Sequence, residues 1–420
     1  MYAFKITGGT PLNGTIEVKG AKNAVLPMMA AALLTDEPIT LENISYLSDV
    51  KIQSQLLESL GVKITHHDNA ITLQADNITN YRAAYEFVSK MRASFWVLGP
   101  LVGRFGQASV SLPGGCAIGA RPSDIYFAAL ESMGASVDIE NGYVIAKGPL
   151  HGADVSFRRI SVGATHNTIM AAVLTKGTTT IYNAAREPEV VDLINLLNKM
   201  GAKIEGAGTN KITITGVEKL HGATHSVVTD RIETASFAIA AALTKGNIFI
   251  KGGQQNLIEP ISNVLQMCDV KLTQTDEGLW VNGQNTVLRP TTITTAEYPG
   301  FPTDAQSPIT TLLALADGMS FIEERIYENR FMHVPELNRM GANIIVLPND
   351  TICINGVNKL SGATVMSSDL RGGMALVLAA LVADGTSIVK RIYHIERGYY
   401  KLEERLSALG TQIERIHLDD

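Results

Sequence analysis

Ala240-Ala-Ala-Leu-Thr-Lys-Gly-Asn-Ile-Phe-Ile-Lys-Gly-Gly253 runs from the end of an apolar helix through a glycine turn into a β-branched strand. The same phrase stands at 30–44 (AAALLTDEPITLENI), 101–112 (LVGRFGQASVSL), 171–184 (AAVLTKGTTTIYNA), 313–326 (LALADGMSFIEERI) and 379–392 (AALVADGTSIVKRI). Its turn positions, Glu37, Gly106, Gly177, Gly246, Gly318 and Gly385, lie 69, 71, 69, 72 and 67 residues apart. The chain of 420 residues is therefore six copies of one unit, which divide into two domains of three.

A second phrase keeps the same beat. Gly61, Gly134, Gly201, Gly341 and Gly410 each close an amphipathic stretch and precede a strand-like run, and in the fourth copy Cys268 stands where this glycine is expected. Each unit then holds two helices and several strands, with a hairpin signal at Asn141-Gly142. One helix per unit, as in Ala235–Thr244, is apolar nearly all round and is expected to be buried. It is too short to span a bilayer, which needs about 20 apolar residues. The other, as in Glu189–Met200, has a polar side expected to face water. The domains thus read as helices inside, with sheets and amphipathic helices around them.

The net charge of −6 argues against a general nucleic-acid surface, so an anionic ligand needs a local basic cluster. Cys116, Cys268 and Cys353 are few, odd in number and far apart, which fits a reducing compartment; no metal-ligand spacing appears. The first residues lack the basic start and apolar run of a signal peptide, and the expected location is cytoplasmic.

Two features point to chemistry. The loop Ser111-Leu-Pro-Gly-Gly-Cys-Ala-Ile-Gly-Ala-Arg-Pro-Ser-Asp124 can present the Cys116 thiol with Arg121 five residues on, which suits an acid, base or nucleophile; an inert buried thiol is the alternative. Counting back from the turns reaches the starts of the buried helices at Lys22-Asn23, Arg92, Thr165, Asp230-Arg231, Asp304 and Asp369 with Arg371. Cations are disfavoured at a helix N-terminus, and a bound anion would resolve the conflict. Solvated charges or salt bridges are the plainer explanation for any one of them. Asp304, in Tyr298-Pro-Gly-Phe-Pro-Thr-Asp304, is either a helix cap or a general base.

The strings Gly20-Ala-Lys-Asn-Ala24, Met91-Arg-Ala-Ser94, the loop 111–122, Asn183-Ala-Ala-Arg-Glu-Pro-Glu189, Asp230-Arg-Ile-Glu-Thr234, Glu328-Asn-Arg-Phe-Met-His333 and Asp369-Leu-Arg371 resemble those of the UDP-N-acetylglucosamine 1-carboxyvinyltransferases, in the enolpyruvyl transferase family. The resemblance runs the length of the chain. It implies an α/β fold of two inside-out barrel domains, each of three repeated units, at 21–229 and at 1–20 with 230–420, with an active site in the cleft between them.

It also implies transfer of the enolpyruvyl group of phosphoenolpyruvate to the 3′-hydroxyl of UDP-N-acetylglucosamine without cofactor, metal, nucleic acid or membrane. Cys116 would be the general acid and the target of fosfomycin, and Asp304 would contact the 3′-hydroxyl and take its proton. Lys22 and Asn23, with Arg121, Arg371 and Arg397, would clamp the anion. Nucleotide-sugar contacts would come from Arg92, Arg121, Pro122, Ser123, Asp124, Ile125, Arg159, Ser161, Val162, Gly163 and Ile326, with Arg330 and Asp369 lining the site. At Arg159 the chain departs from the lysine of the family pattern. A same-fold enzyme acting on shikimate 3-phosphate and a non-catalytic paralogue are the alternatives; the loop 111–122 and the intact Cys116, Lys22, Asp304 and Arg397 weigh against them.

Overall fold

The computed structural model describes residues 1–88, 92–112 and 123–418, with 92–94 described by backbone alone. Among the described residues, strands pair into six four-stranded sheets of one topology. In each, an edge strand lies parallel to the strand beyond the buried helix, and that strand pairs antiparallel with one strand of an antiparallel pair, which is a hairpin in all but the sheet that joins Tyr2–Thr7 to Gln412–His417. Arg82–Ala83, Gln107–Ser111, Tyr143–Lys147 and Ser136–Glu140 form one such sheet in this order. Its hairpin turns at Asn141 and Gly142 with φ of 51° and 79°, the left-handed pair that an Asn-Gly turn supplies.

The described residues fall into two compact units, one of 19–112 and 123–228, the other of 1–18 and 229–418. Each has its own apolar core, and each is an inside-out α/β barrel, with apolar helices inside and sheets outside. In the first unit the helix Leu98–Phe105 packs on Val162–Ala172 and on the turn Ala32–Leu34 that ends the helix Lys22–Ala31. The approach is close because Gly99 and Gly103 lack side chains. A Cβ on Gly99 would stand 2.3 Å from the Asn167 carbonyl oxygen, and one on Gly103 2.8 Å from that of Ala171. In the second unit Gln306–Leu313 packs on Leu370–Val382, and both touch Arg231–Leu243. Every residue of Ile232–Leu243 is buried; the stretch from Ala235 is apolar nearly all round, and the one acid, Glu233, pairs with Arg405.

The repeats are not closed in sequence order. Asn13–Glu17 pairs with Asn247–Lys251 in the second unit, whereas Ala223–Ser226 pairs with Ile39–Glu42 in the first. Among the described residues the chain therefore passes from one unit to the other twice, at 18–19 and at 228–229. Tyr2–Thr7 completes the sixth sheet between Thr386–Lys390 and Gln412–His417.

Three expectations need correction. The third buried helix begins at Val162, three residues before Thr165, because the Ser161 side chain accepts the Ala164 N–H and caps it. The helix Pro188–Lys199 turns Asn195, Asn198 and Lys199 outward as expected, yet Glu189 and Asp192 are buried. Asp192 accepts hydrogen bonds from the Val228 N–H at 2.8 Å and contacts His225 Nε2 at 2.8 Å, fastening the strand that precedes the second crossing. Finally, the glycine equivalent in the fourth repeat is Asp269, with φ of 60°; Cys268 is the buried helix C-cap one residue earlier. The hydrogen bonds fix this register. Asp269 N donates to Gln266 O and Val270 N to Leu265 O, just as Gly61 N donates to Glu58 O and Val62 N to Leu57 O.

Candidate active site

In the second unit the segment after the strand Thr292–Thr294 ends in a short turn, Thr303–Ala305, that leads into the helix Gln306–Leu313. Asp304 makes no cap bond there. Instead its two oxygens face two arginines: Arg330 Nη2 donates to Oδ1 at 2.7 Å and Arg371 Nη2 to Oδ2 at 3.0 Å. Both arginine side chains are buried, at 5% and 4% exposure, whereas that of Asp304 is 26% exposed. Burial alone would raise the Asp304 pKa, but Arg371 and Arg330 outweigh it and hold the carboxyl well below the usual carboxylate range. Burial likewise opposes the charge on Arg371, and Asp304 more than restores it.

Each partner is held in turn. Asp369 caps the helix Leu370–Val382 by accepting from the backbone N–H groups of Arg371 and Gly372, both at 2.9 Å. The Arg371 side chain reaches the fully buried Tyr399 hydroxyl at 3.4 Å, which pairs with Ser236 Oγ at 2.7 Å. Arg330 Nη1 donates to Thr303 Oγ1 at 2.8 Å. His333 is buried nearby; burial lowers its pKa to about 4, Arg330 adds to the shift and Asp369 opposes it. Arg397 ends the turn Ile392–Arg397 and is half-buried. His394 is close enough to Arg397 and Asp369 to feel both, although burial is the main reason for its lowered pKa. Asp304, Arg330, Asp369 and Arg371 thus form one cluster, with Ile326 on the turn that follows Glu323.

In the first unit Lys22 and Asn23 open the helix Lys22–Ala31. Lys22 Nζ lies 2.9 Å from Asp49 Oδ2, with the Asp49 side chain 1% exposed. Lys22 and Arg371 therefore each meet a carboxylate of the protein, so the cations at these helix starts are compensated by acids of the fold itself. Arg231 begins its helix behind Asp230, whose side chain accepts from Ile232 N and Glu233 N.

Ser123 precedes the helix Asp124–Ser132, in which Ile125 is buried and Asp124 pairs with the exposed Arg158. The neighbouring Tyr126 hydroxyl packs against Gly163, where a Cβ would stand only 1.9 Å away. The segments 123–126 and 161–163 are thereby brought together. Arg159 is exposed, and Val162 and Gly163 open their helix behind Ser161. Arg92 begins the turn Arg92–Val97. Cys116, Arg121 and Pro122 lie outside the described residues.

Residues that the sequence pattern did not mark include Asp49, Thr303, Glu324, His333 and Tyr399. Apart from Thr303, which adjoins Asp304, none stands at the start of a buried helix, the position that marks Lys22, Asp304 and Arg371. Asp49 lies in a second helix and His333 precedes one, Glu324 follows a strand, and Tyr399 lies between the turn Ile392–Arg397 and the helix Leu402–Ala408, so their approach depends on the tertiary fold.

The family model for EPSP synthase (3-phosphoshikimate 1-carboxyvinyltransferase) matches residues 6–406. The UDP-N-acetylglucosamine 1-carboxyvinyltransferase of Afipia carboxidovorans is 50% identical over 99% of this chain and 100% of its own length. That of Dinoroseobacter shibae is 51% identical over 99% of each. Among solved structures, the enolpyruvyl transferase NikO from Streptomyces tendae superposes with a TM-score of 0.89 at 24% identity, covering 99% of both chains. EPSP synthase from Acinetobacter baumannii superposes with a TM-score of 0.76 at 18% identity, covering 99% of this chain and 100% of that one. These two likenesses establish the fold. The identity kept from end to end with the curated relatives goes further: the chain belongs to the UDP-N-acetylglucosamine 1-carboxyvinyltransferase family of enolpyruvyl transferases.

Proposed function

We infer that this enzyme transfers the enolpyruvyl group of phosphoenolpyruvate to the 3′-hydroxyl of UDP-N-acetylglucosamine and releases phosphate, an early step of peptidoglycan synthesis in the cytoplasm on which cell shape and division depend. The observation that carries the reading is the full-length, 50% identity to relatives bearing that name. Transfer to shikimate 3-phosphate is favoured by the broad family model and by EPSP synthase structures at 17–18% identity, which speak for the fold alone. Incubating the enzyme with phosphoenolpyruvate and each acceptor, and weighing the product, tests the choice. Enolpyruvyl product from shikimate 3-phosphate alone would overturn it.

The reaction is an addition followed by an elimination. A proton added to the methylene carbon of phosphoenolpyruvate makes the neighbouring carbon electrophilic. The sugar hydroxyl attacks that carbon and loses its proton; phosphate then leaves, and loss of a methyl proton restores the double bond. We assign the first proton to Cys116, which fosfomycin would alkylate. Lys22, Asn23, Arg121, Arg371 and Arg397 hold the phosphate and carboxylate and stabilise the charge that develops. Arg92, the run 121–125, Arg159, Ser161 to Gly163 and Ile326 hold the nucleotide sugar.

Asp304 takes the hydroxyl proton in this scheme. With a guanidinium on each oxygen it is ionised but weakly basic. An anion bound to Arg371 draws that guanidinium away from the carboxylate. Arrival of phosphoenolpyruvate then makes Asp304 a better base when the hydroxyl must be deprotonated.

A further inference from the structure

Glu324 is 3% exposed and follows the strand Met319–Glu323. Its two oxygens accept four hydrogen bonds, three at Oε1 and one at Oε2. Oε1 accepts from Thr295 Oγ1 at 2.8 Å, from the Ile326 N–H at 2.8 Å and from the Tyr327 N–H at 3.1 Å. Oε2 accepts from Thr303 Oγ1 at 2.8 Å. Thr295 and Thr303 flank the segment 296–302, so one side chain pins both ends of the loop that delivers Asp304.

The polarity of the contact at Thr303 is fixed. Arg330 has only donors, and its Nη1 donates to Thr303 Oγ1, so the threonine proton points to Glu324. The other terminal nitrogen of Arg330 holds Asp304 Oδ1. A continuous chain therefore runs from Glu324 through Thr303 and Arg330 to Asp304, while the opposite oxygen of Glu324 organises the turn that carries Ile326. We propose that Glu324 is a positioning residue for the transfer, setting Asp304 through Thr303 and Arg330 and, independently, the turn at Ile326 and Tyr327. This rests on the assignment of Asp304 as the group that receives the hydroxyl proton.

A glutamine at 324 cannot replace the acid. If its carbonyl faces Thr295 and the two amides, its NH2 meets a Thr303 oxygen that already accepts from Arg330 and whose proton then has no acceptor. If the amide is turned round, three donors face an NH2 group. Thr303→Val removes the bridge to Arg330 and leaves the bonds to Ile326 and Tyr327 in place.

The test compares Thr303→Val, Thr303→Ser, Glu324→Gln, Glu324→Ala and Asp304→Asn in steady-state assays with phosphoenolpyruvate and UDP-N-acetylglucosamine, with melting curves for each. Thr303→Val and Glu324→Gln are expected to lower kcat by about 10- to 100-fold, the scale of a small misplacement of a reacting group, with KM for the nucleotide sugar nearly unchanged. Glu324→Ala is expected to raise that KM as well, because the turn loses its acceptor. Thr303→Ser restores the hydroxyl and is expected to recover most of the lost kcat. Should Glu324 variants fail to fold, the two Thr303 variants still decide the matter. Wild-type kcat in Thr303→Val beside an inactive Asp304→Asn overturns the positioning role alone, as does an equal loss in Thr303→Ser and Thr303→Val. Wild-type turnover by Asp304→Asn overturns both the assignment of Asp304 and the role built on it.

Discussion

Arg371 Nη2 stands 3.0 Å from Asp304 Oδ2, and the arginine is buried while the carboxylate is one-quarter exposed. The charge compensation at the second unit's candidate site is thus internal to the protein. Asp304 is open on one side to solvent and, in the mechanism inferred above, to the acceptor hydroxyl.

Asp304→Asn is expected to lower kcat by about 10²- to 10⁴-fold, the usual loss for a positioned proton-transfer group, as measured by phosphate release at saturating substrates. The pH dependence follows from the sign of the shift. Because the folded-state pKa lies below the unfolded one, the stabilisation from the carboxylate is complete above about pH 4 and is lost only as pH falls below the ordinary carboxylate range. An acid transition near pH 5 that vanished in Asp304→Asn would contradict this account.

His166 and His333 should dominate stability in mild acid. Burial lowers both to about 4; the Glu189 backbone opposes the shift at His166. The unfolded chain takes up these protons near pH 6.5 and the folded protein only near pH 4. Stability is therefore full above pH 6.5 and falls towards pH 4, by up to about 3 kcal/mol per histidine. Denaturant unfolding at pH 7 and pH 4.5 measures the drop, and His166→Phe and His333→Gln should each flatten it. An unchanged pH slope in both variants would contradict the assignment.

At the fourth repeat, Asp269→Gly is expected to raise stability by about 0.5–1 kcal/mol by relieving a left-handed residue, even with the loss of its exposed pair with Arg289. Cys268→Gly is expected to destabilise by roughly 1–3 kcal/mol, because it empties a buried position at the helix end. Thermal melting of the two variants decides the register; opposite signs would restore Cys268 as the glycine equivalent.

Cys116→Ala is expected to nearly abolish phosphate release while leaving UDP-N-acetylglucosamine binding by calorimetry largely intact. Cys116→Asp should turn over and resist fosfomycin, since a carboxyl group can donate the proton but is a poor target for that alkylation. Mass spectrometry placing fosfomycin on Cys268 or Cys353 would contradict the assignment.

Much of the fold was legible because a 67- to 72-residue beat repeats the same local signals, and buried helices announce themselves by being apolar nearly all round, as Ala235–Leu243 is. Errors arose where one residue type can stand in for another. Aspartate at 269 adopts the glycine conformation, and Ser161 caps a helix three residues ahead of the start that the spacing places at Thr165. Lys22, Asp304 and Arg371 were visible as charges at helix starts. The groups behind them, Asp49 on Lys22, Tyr399 on Arg371, and Thr303 and Glu324 behind Arg330, were not, because their proximity is a product of long-range packing. Nor does local pattern reveal that Asn13–Glu17 and Ala223–Ser226 pair with sheets other than those their sequence order suggests.

The most direct test of the function is phosphate release from phosphoenolpyruvate, followed with UDP-N-acetylglucosamine present, with it omitted, and with shikimate 3-phosphate in its place. The account predicts release only with the nucleotide sugar, one phosphate for each enolpyruvyl product formed. Release driven by shikimate 3-phosphate, or none from folded protein that binds both substrates, would contradict it.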